Sequence, residues 1–149
     1  MVIKDFLNEK DCPAENITGD DPLTAAIELM AARNVKALIV SDNTQPVGII
    51  SASDILRAYA ASGGRDIGAV PVADVMTPEL ITAEAGETVV AAITRMREAG
   101  IRHLPIQESG RLVAVVTLEN LICHQLENLG GEIDHLNDYI IHLHDAMLD

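Results

Sequence analysis

The chain reads as an α/β (α+β) fold made of two copies of one unit, each a small sheet with two helices, followed by a long C-terminal helix. Three observations point there. A short apolar run ends in a hydroxyl residue, and an acid or amide follows three residues later, in two places: Gly48-Ile-Ile-Ser51-Ala-Ser-Asp54 and Ala114-Val-Val-Thr117-Leu-Glu-Asn120. Ser51 and Thr117 stand 66 residues apart (117 − 51), as do Asp54 and Asn120. The same shift pairs Ala25 with Ala91, Ala26 with Ala92, Ile27 with Ile93, Met30 with Met96, Leu38 with Leu104 and Val47 with Val113, without a gap. Self-similarity at a fixed spacing marks a repeated structural unit. Two copies are too few for a solenoid, so they are expected to pair face to face about a pseudo-twofold axis.

In chain order, residues 2–7 form a short helical turn with Asp5 near its start, and Asn16-Ile17-Thr18 is a brief extended piece. Asp21-Pro22 opens a helix, with the proline in the first turn, where its missing N–H costs nothing. Leu23, Ala26, Ile27, Met30 and Ala31 keep the three-to-four spacing of a helix face. Ala37-Leu-Ile-Val40 is a buried strand, residues 43–46 a turn, and residues 47–50 a second strand. Ser51-x-x-Asp54 is a helix-capping signature, hydroxyl and acid taking up free N–H groups of the first turn. That helix ends near Gly63-Gly64. The pattern then restarts: residues 72–76 echo 3–7, Leu80-Ile81-Thr82 echoes Asn16-Ile17-Thr18, and a helix from Glu87 carries Val90, Ile93 and Met96. The resulting domains are 1–63 and 72–125, joined by a linker at 64–71 and followed by a heptad helix at 126–149.

In that tail Ile122, Leu126, Leu129, Ile133, Leu136, Ile140, Leu143 and Met147 alternate steps of four and three. Leu126, Ile133, Ile140 and Met147 take the a positions and the others the d positions, a composition that favours a parallel two-stranded coiled coil. The chain is therefore expected to form a homodimer; folding of the seam onto its own core is the other reading. Gly130-Gly131 falls at exposed e and f positions, or breaks the helix.

Bulk properties restrict the function. A net charge of −13 argues against nucleic acid or an anionic membrane as partner. The chain is 48% hydrophobic but 2% aromatic, so its core is aliphatic. Two cysteines, Cys12 and Cys123, make neither a disulfide framework nor a zinc pattern. No stretch has the apolar length of a membrane span, and the N-terminus is no signal peptide; the expectation is a soluble, cytoplasmic protein. Nothing resembles a nucleophile elbow or a glycine-rich phosphate loop, and the chain is read as no enzyme. Glu132, His135, Asp138 and His142 share a helical face, yet such residues on the outside of a seam are ordinarily solvated, so no metal site is assigned.

The repeated unit resembles the cystathionine-β-synthase-type (CBS) domain, two of which in tandem form a Bateman module. The likeness rests on Ala37-Leu-Ile-Val40 with Gly48-Ile-Ile-Ser51-x-x-Asp54, and on Asp74-Val-Met-Thr77 with Arg102-His-Leu-Pro-Ile106 and Val115-Val-Thr117. Residues 132–140 are similar to the endings of small stand-alone bacterial members. The resemblance implies a regulatory module with no required cofactor. It would sense an adenine nucleotide (AMP, ADP or ATP) or another adenosyl compound in clefts between paired domains and signal to an unidentified regulated protein. Carried over, a first site uses Ile17, Thr18, Ala37, Ser51 and Asp54, with Lys36 or Arg57 for phosphate. A second uses Leu80, Ile81, Thr82, His103, Pro105, Thr117 and Asn120. Asn120 replaces the ribose-binding acid by a neutral amide, and charge-assisted hydrogen bonds are about twice as strong as neutral ones. Ser53 stands where family members often carry arginine, and Glu119 takes the matching place. The first site is thus expected to bind better than the second, and mono- or diphosphates better than triphosphates. The alternative is a pure dimerisation module with degenerate pockets.

Overall fold

The computed structural model describes residues 1–127 together with 140, 141 and 143. Its elements follow the repeat. In the first copy they are α1 (Ile3–Glu9), β1 (Asn16–Thr18), α2 (Leu23–Arg33), β2 (Ala37–Asp42), β3 (Gln45–Ser51) and α3 (Ala52–Ala61). A 3-10 turn at Val72–Asp74 opens the second, followed by β4 (Ala83–Glu84), α4 (Val89–Ala99), β5 (His103–Glu108), β6 (Arg111–Thr117) and α5 (Leu118–Glu127). From α2 to β3 and from α4 to β6 the boundaries repeat residue for residue at the 66-residue spacing. Each sheet has three strands: β1-β2-β3 and β4-β5-β6, with the first pair parallel and the second antiparallel.

The hairpins turn through left-handed residues, Asn43 and Thr44 (φ 49° and 68°) in one, Ser109 and Gly110 (φ 55° and 78°) in the other. Positive φ at both central positions matches the right-handed twist of the flanking strands. α2 and α4 both end on a left-handed residue, Asn34 and Gly100, the usual way of satisfying the last carbonyls. Pro22 is the cap of α2 rather than part of its first turn, in extended backbone.

The compact units cut across the sequence repeats. One is Pro13–Ile81; the other joins Met1–Cys12 to Thr82–Asp149. Each copy's leading segment is built into the other copy's unit, and the hydrogen bonds give the reason. Ile3 and Lys4 donate their N–H groups to the carbonyls of Glu87 and Ala85, both at 2.9 Å. Val72 and Ala73 donate in the same way to Asp21 and Gly19, at 2.8 and 2.9 Å. Next, Ile49 and Thr77 exchange two backbone bonds of 3.0 and 2.8 Å, while Val115 donates to Cys12 at 3.1 Å. The compact units therefore trade the first segments of the two sequence copies.

The core of the Pro13–Ile81 unit gathers Ile17, Leu23, Ala26, Met30, Leu38, Val40, Ile50, Ile55 and Val72. In the other unit Ile3, Phe6, Val89, Met96, Leu104, Ile106, Val116 and Leu121 are fully buried. Burying one such side chain contributes about 1.5–3 kcal/mol. An aliphatic core of this kind is what the low aromatic content requires. Most of the proposed heptad seam, with Gly130-Gly131 and the Glu132/His135/Asp138/His142 set, lies outside the described residues; Ile140, Ile141 and Leu143 are helical.

Candidate functional site

The strand-to-helix junction is built the same way in both copies. In the first, Ser51 caps α3: its Oγ accepts the Asp54 N–H at 3.2 Å, and Asp54 Oδ2 accepts the Ser51 N–H at 2.9 Å. Lys36 anchors the turn by its carbonyl, which accepts the Ala52 N–H at 2.9 Å. Ala37 faces Ser51 across the β2–β3 ladder. Asp54 is 9% exposed, and the exposed guanidinium of Arg57 donates to its Oδ1. Ala37, Ser51, Asp54 and Arg57 are thus assembled at one helix start, with Lys36 adjacent in the chain.

In the second copy Thr117 Oγ1 accepts the Asn120 N–H at 3.2 Å, and Arg102's carbonyl takes the Leu118 N–H at 3.0 Å. His103 faces Thr117 and the buried Pro105 faces Val115 in the β5–β6 ladder. The cap survives there, and the acid that would answer it is absent. Leu80 and Ile81 fall in the Pro13–Ile81 unit, whereas Thr82 and the rest of the second set fall in the other. The register explains the division. Ile17 pairs with Val40 and Ala83 with Ile106, so Ala83 and Glu84, not Ile81 and Thr82, occupy the places of Ile17 and Thr18. The spacing is 69 residues for the leading segments (Ile3 to Val72) and 66 thereafter. The approach to β4 is therefore three residues shorter than that to β1, and matching Ile-Thr by letters sets the strand two residues early.

Ile17 and Thr18 line an open hollow of about 400 Å³. Its other walls, which sequence reasoning missed, are Asn16, Asp21, Ala25, Leu29 and Ser41; Ala37, Ser51 and Asp54 are not among them. The predicted first set is therefore spread over the β1 hollow and the α3 junction. Asp21 is held at the rim because its Oδ2 accepts the Thr18 N–H at 3.1 Å, and Ser41 Oγ donates to Asn16 Oδ1 at 3.2 Å.

The corresponding place beside β4 is filled. Glu87 Oε2 accepts the Glu84 N–H at 2.6 Å, as Asp21 does from Thr18. Arg95, on α4, lays its guanidinium over that carboxylate, with Nη2 on Oε1 and Nη1 on Oε2, and Nη1 also reaches the Thr82 carbonyl at 2.8 Å. The Arg95 hydrogen bonds, then the Glu84 N–H, hold the Glu87 carboxyl below its ordinary value. A depressed carboxyl contributes stability that is fully present above its unfolded pKa and lost as pH falls through the folded one. Glu87→Gln is therefore expected to be less stable than the parent at pH 7. The gap should close below about pH 4, where glutamates protonate, as read by urea melts across pH.

Neither thiol is activated. Burial is the first cause pushing Cys12 and Cys123 up, helped by Asp11 at the one and Glu127 and Glu119 at the other. A raised thiol holds little of the nucleophilic thiolate. Among the described residues no helix is long and apolar enough to cross a membrane.

Comparison with known proteins agrees with this architecture. The CBS domain family model matches residues 4–61 and again 72–127. The CBS domain-containing protein YhcV of Bacillus subtilis is 30% identical over 128 residues, covering 85% of this chain and 90% of its own. A putative signal-transduction protein with CBS domains from Burkholderia ambifaria has the same fold, with a TM-score of 0.80 at 24% identity over 88% of this chain and 98% of that one. So does the CBS domain pair of protein MJ0100, solved in complex with 5′-methylthioadenosine and S-adenosyl-L-methionine. It gives a TM-score of 0.69 at 23% identity, covering 82% of this chain and 93% of the other. The duplicated junctions, the two sheets and these matches lead to one conclusion: the chain belongs to the CBS domain family, as a tandem pair.

Proposed function

We propose that the chain is a regulatory, non-catalytic module that binds an adenosine-containing ligand of the AMP, ADP or ATP class at the Ser51–Asp54 junction and passes the change to a second protein. One observation carries the reading: a nearly buried carboxylate fixed at a helix start, beside a hydroxyl cap and an exposed arginine. Each Asp54 oxygen spends one lone pair, on Ser51 or on Arg57, and keeps one. A ribose diol can donate to both that remain. The first helix turn offers N–H groups to phosphate oxygens, and Arg57 and Lys36 supply positive charge in an otherwise acidic chain. The adenosyl compounds held by the MJ0100 pair show what this fold accommodates in that protein. Ligand binding would then favour one conformational population over another.

Asp54→Ala is expected to weaken adenosine-ligand binding by on the order of 1.5–3 kcal/mol, the range for hydrogen bonds to a charged group. Stability should fall by about 1 kcal/mol as half of the capping box is lost. Asp54→Asn recreates the second copy's Asn120; it should keep the cap and still bind less tightly. Unchanged affinity in both variants, measured by calorimetry, would remove Asp54 from the site.

Self-association is a second component of the proposal. Ile27 on α2, Leu56 and Tyr59 on α3 and Val90 on α4 are 45–70% exposed. Large apolar side chains left exposed on helices of both units suit a second copy of the chain.

A further inference from the structure

In the Pro13–Ile81 unit, we infer that the hollow beside β1 is a binding site for an alkylguanidinium group, because the chain fills the matching place in its other unit with one of its own. The two places correspond element by element. α2 and α4, and the strands beside them, repeat at the same spacing, and the β1–β2 and β4–β5 registers agree. Asp21 therefore matches Glu87, Asn16 matches Thr82, Ala25 matches Ala91, and Leu29 matches Arg95.

The carboxylates are seated alike, each by one oxygen accepting the N–H of the residue three earlier, Thr18 or Glu84. At Glu87 that oxygen and the other one receive the two arms of the Arg95 guanidinium, while the Thr82 carbonyl takes a further hydrogen. A planar fork on a carboxylate is the geometry at which guanidinium excels over ammonium. In the first unit Leu29 stops short, and an open space of about 400 Å³ lies among Asn16, Asp21, Leu29 and Ser41. Among the described residues the Asp21 carboxylate takes one hydrogen bond, from the Thr18 N–H on Oδ2, which leaves Oδ1 open. The volume lies within the usual range for small-molecule sites, roughly 300–1,000 Å³, and leaves room for the alkyl chain against Ala25 and Leu29. The inference does not rest on the adenosine reading, which stands on Ser51 and Asp54; of the first expected set the hollow shares Ile17 and Thr18 alone.

The probe is N-propylguanidinium, an arginine side chain without its backbone, followed by NMR chemical-shift titration, with urea as the uncharged isostere. Shifts should cluster at Asn16, Asp21 and Ser41 for the cation and be absent with urea. Asp21→Asn should weaken binding about tenfold or more, as loss of a charged hydrogen-bond partner does. Leu29→Arg supplies the group internally and should abolish binding, whereas Arg95→Leu should open a second site beside β4. A blocked Gly-Arg-Gly peptide separates the sources. Binding of both probes assigns the site to arginine side chains of a partner, and binding of N-propylguanidinium alone assigns it to a small molecule. No localised shifts with either probe, or equal affinity in Asp21→Asn and the parent, overturns the inference. Should Leu29→Arg fail to fold, the Asp21→Asn and Arg95→Leu comparisons still decide it.

Discussion

Phe6→Ala is expected to cost about 3–5 kcal/mol of stability, the range for deleting a buried aromatic side chain. Phe6 is the only phenylalanine, it is fully buried, and it meets the His124 ring edge-on with centroids 5.1 Å apart. The place of the damage matters as much as its size. α1 opens the first sequence repeat, yet its backbone is bonded to Ala85 and Glu87, and Lys4 pairs with Glu108 at 2.8 Å. Hydrogen exchange should therefore show lost protection in β5, β6 and α5, with β2 and β3 less affected. Loss confined to residues 16–55 would contradict the exchanged arrangement, and a cost below about 1 kcal/mol would contradict the burial of Phe6.

The second large effect is expected from Gly48→Val. A Cβ at Gly48 would stand 2.6 Å from the Thr77 carbonyl oxygen, 2.9 Å from Met76 Sδ and 3.4 Å from Pro78 Cα. The methionine end can swing away, but the carbonyl cannot, because Thr77 is locked to Ile49 by both backbone bonds. Either the pairing of residues 76–78 with β3 breaks or the strand moves. Overpacking of this kind costs about 1–3 kcal/mol, occasionally more, and valine should lie at the upper end. Ala114 is the same position in β6, where a Cβ is already accommodated and 3% exposed. Ala114→Val should accordingly be milder than Gly48→Val in thermal unfolding, and the reverse order would refute the packing described for Gly48.

Much of the fold was legible because it is written in periodicity. The run from Ala37 to Val40, the cap at Ser51 and the glycines after α3 each carry a local physical signal. The exchange of leading segments was not legible: an apolar turn such as residues 3–6 declares that it will be buried, but not against which sheet. The misplaced Leu80-Ile81-Thr82 has the same origin. Letter identity outweighed the 66-residue register, which the ladder Ala83–Ile106 obeys. Of the site, the junction was readable as a motif, while the hollow was not, since Asn16, Asp21 and Ser41 come together only through the parallel pairing of β1 with β2. One signal was nonetheless present. At a spacing where most core positions match, Leu29 stands opposite Arg95, a leucine for a partly exposed arginine, with an acid in both places, Asp21 and Glu87.

The claim that an adenosine moiety docks on the Asp54 carboxylate is tested most directly by native mass spectrometry of the chain and its Asp54→Ala variant, titrated with AMP, ADP, ATP, 5′-methylthioadenosine and S-adenosyl-L-methionine. The expected spectrum shows one adenosyl adduct per chain at low ligand concentration, with the variant needing about tenfold more ligand or greater to match it. Spectra in which no member of the set adds to the parent, or in which parent and variant fill in parallel, would contradict it.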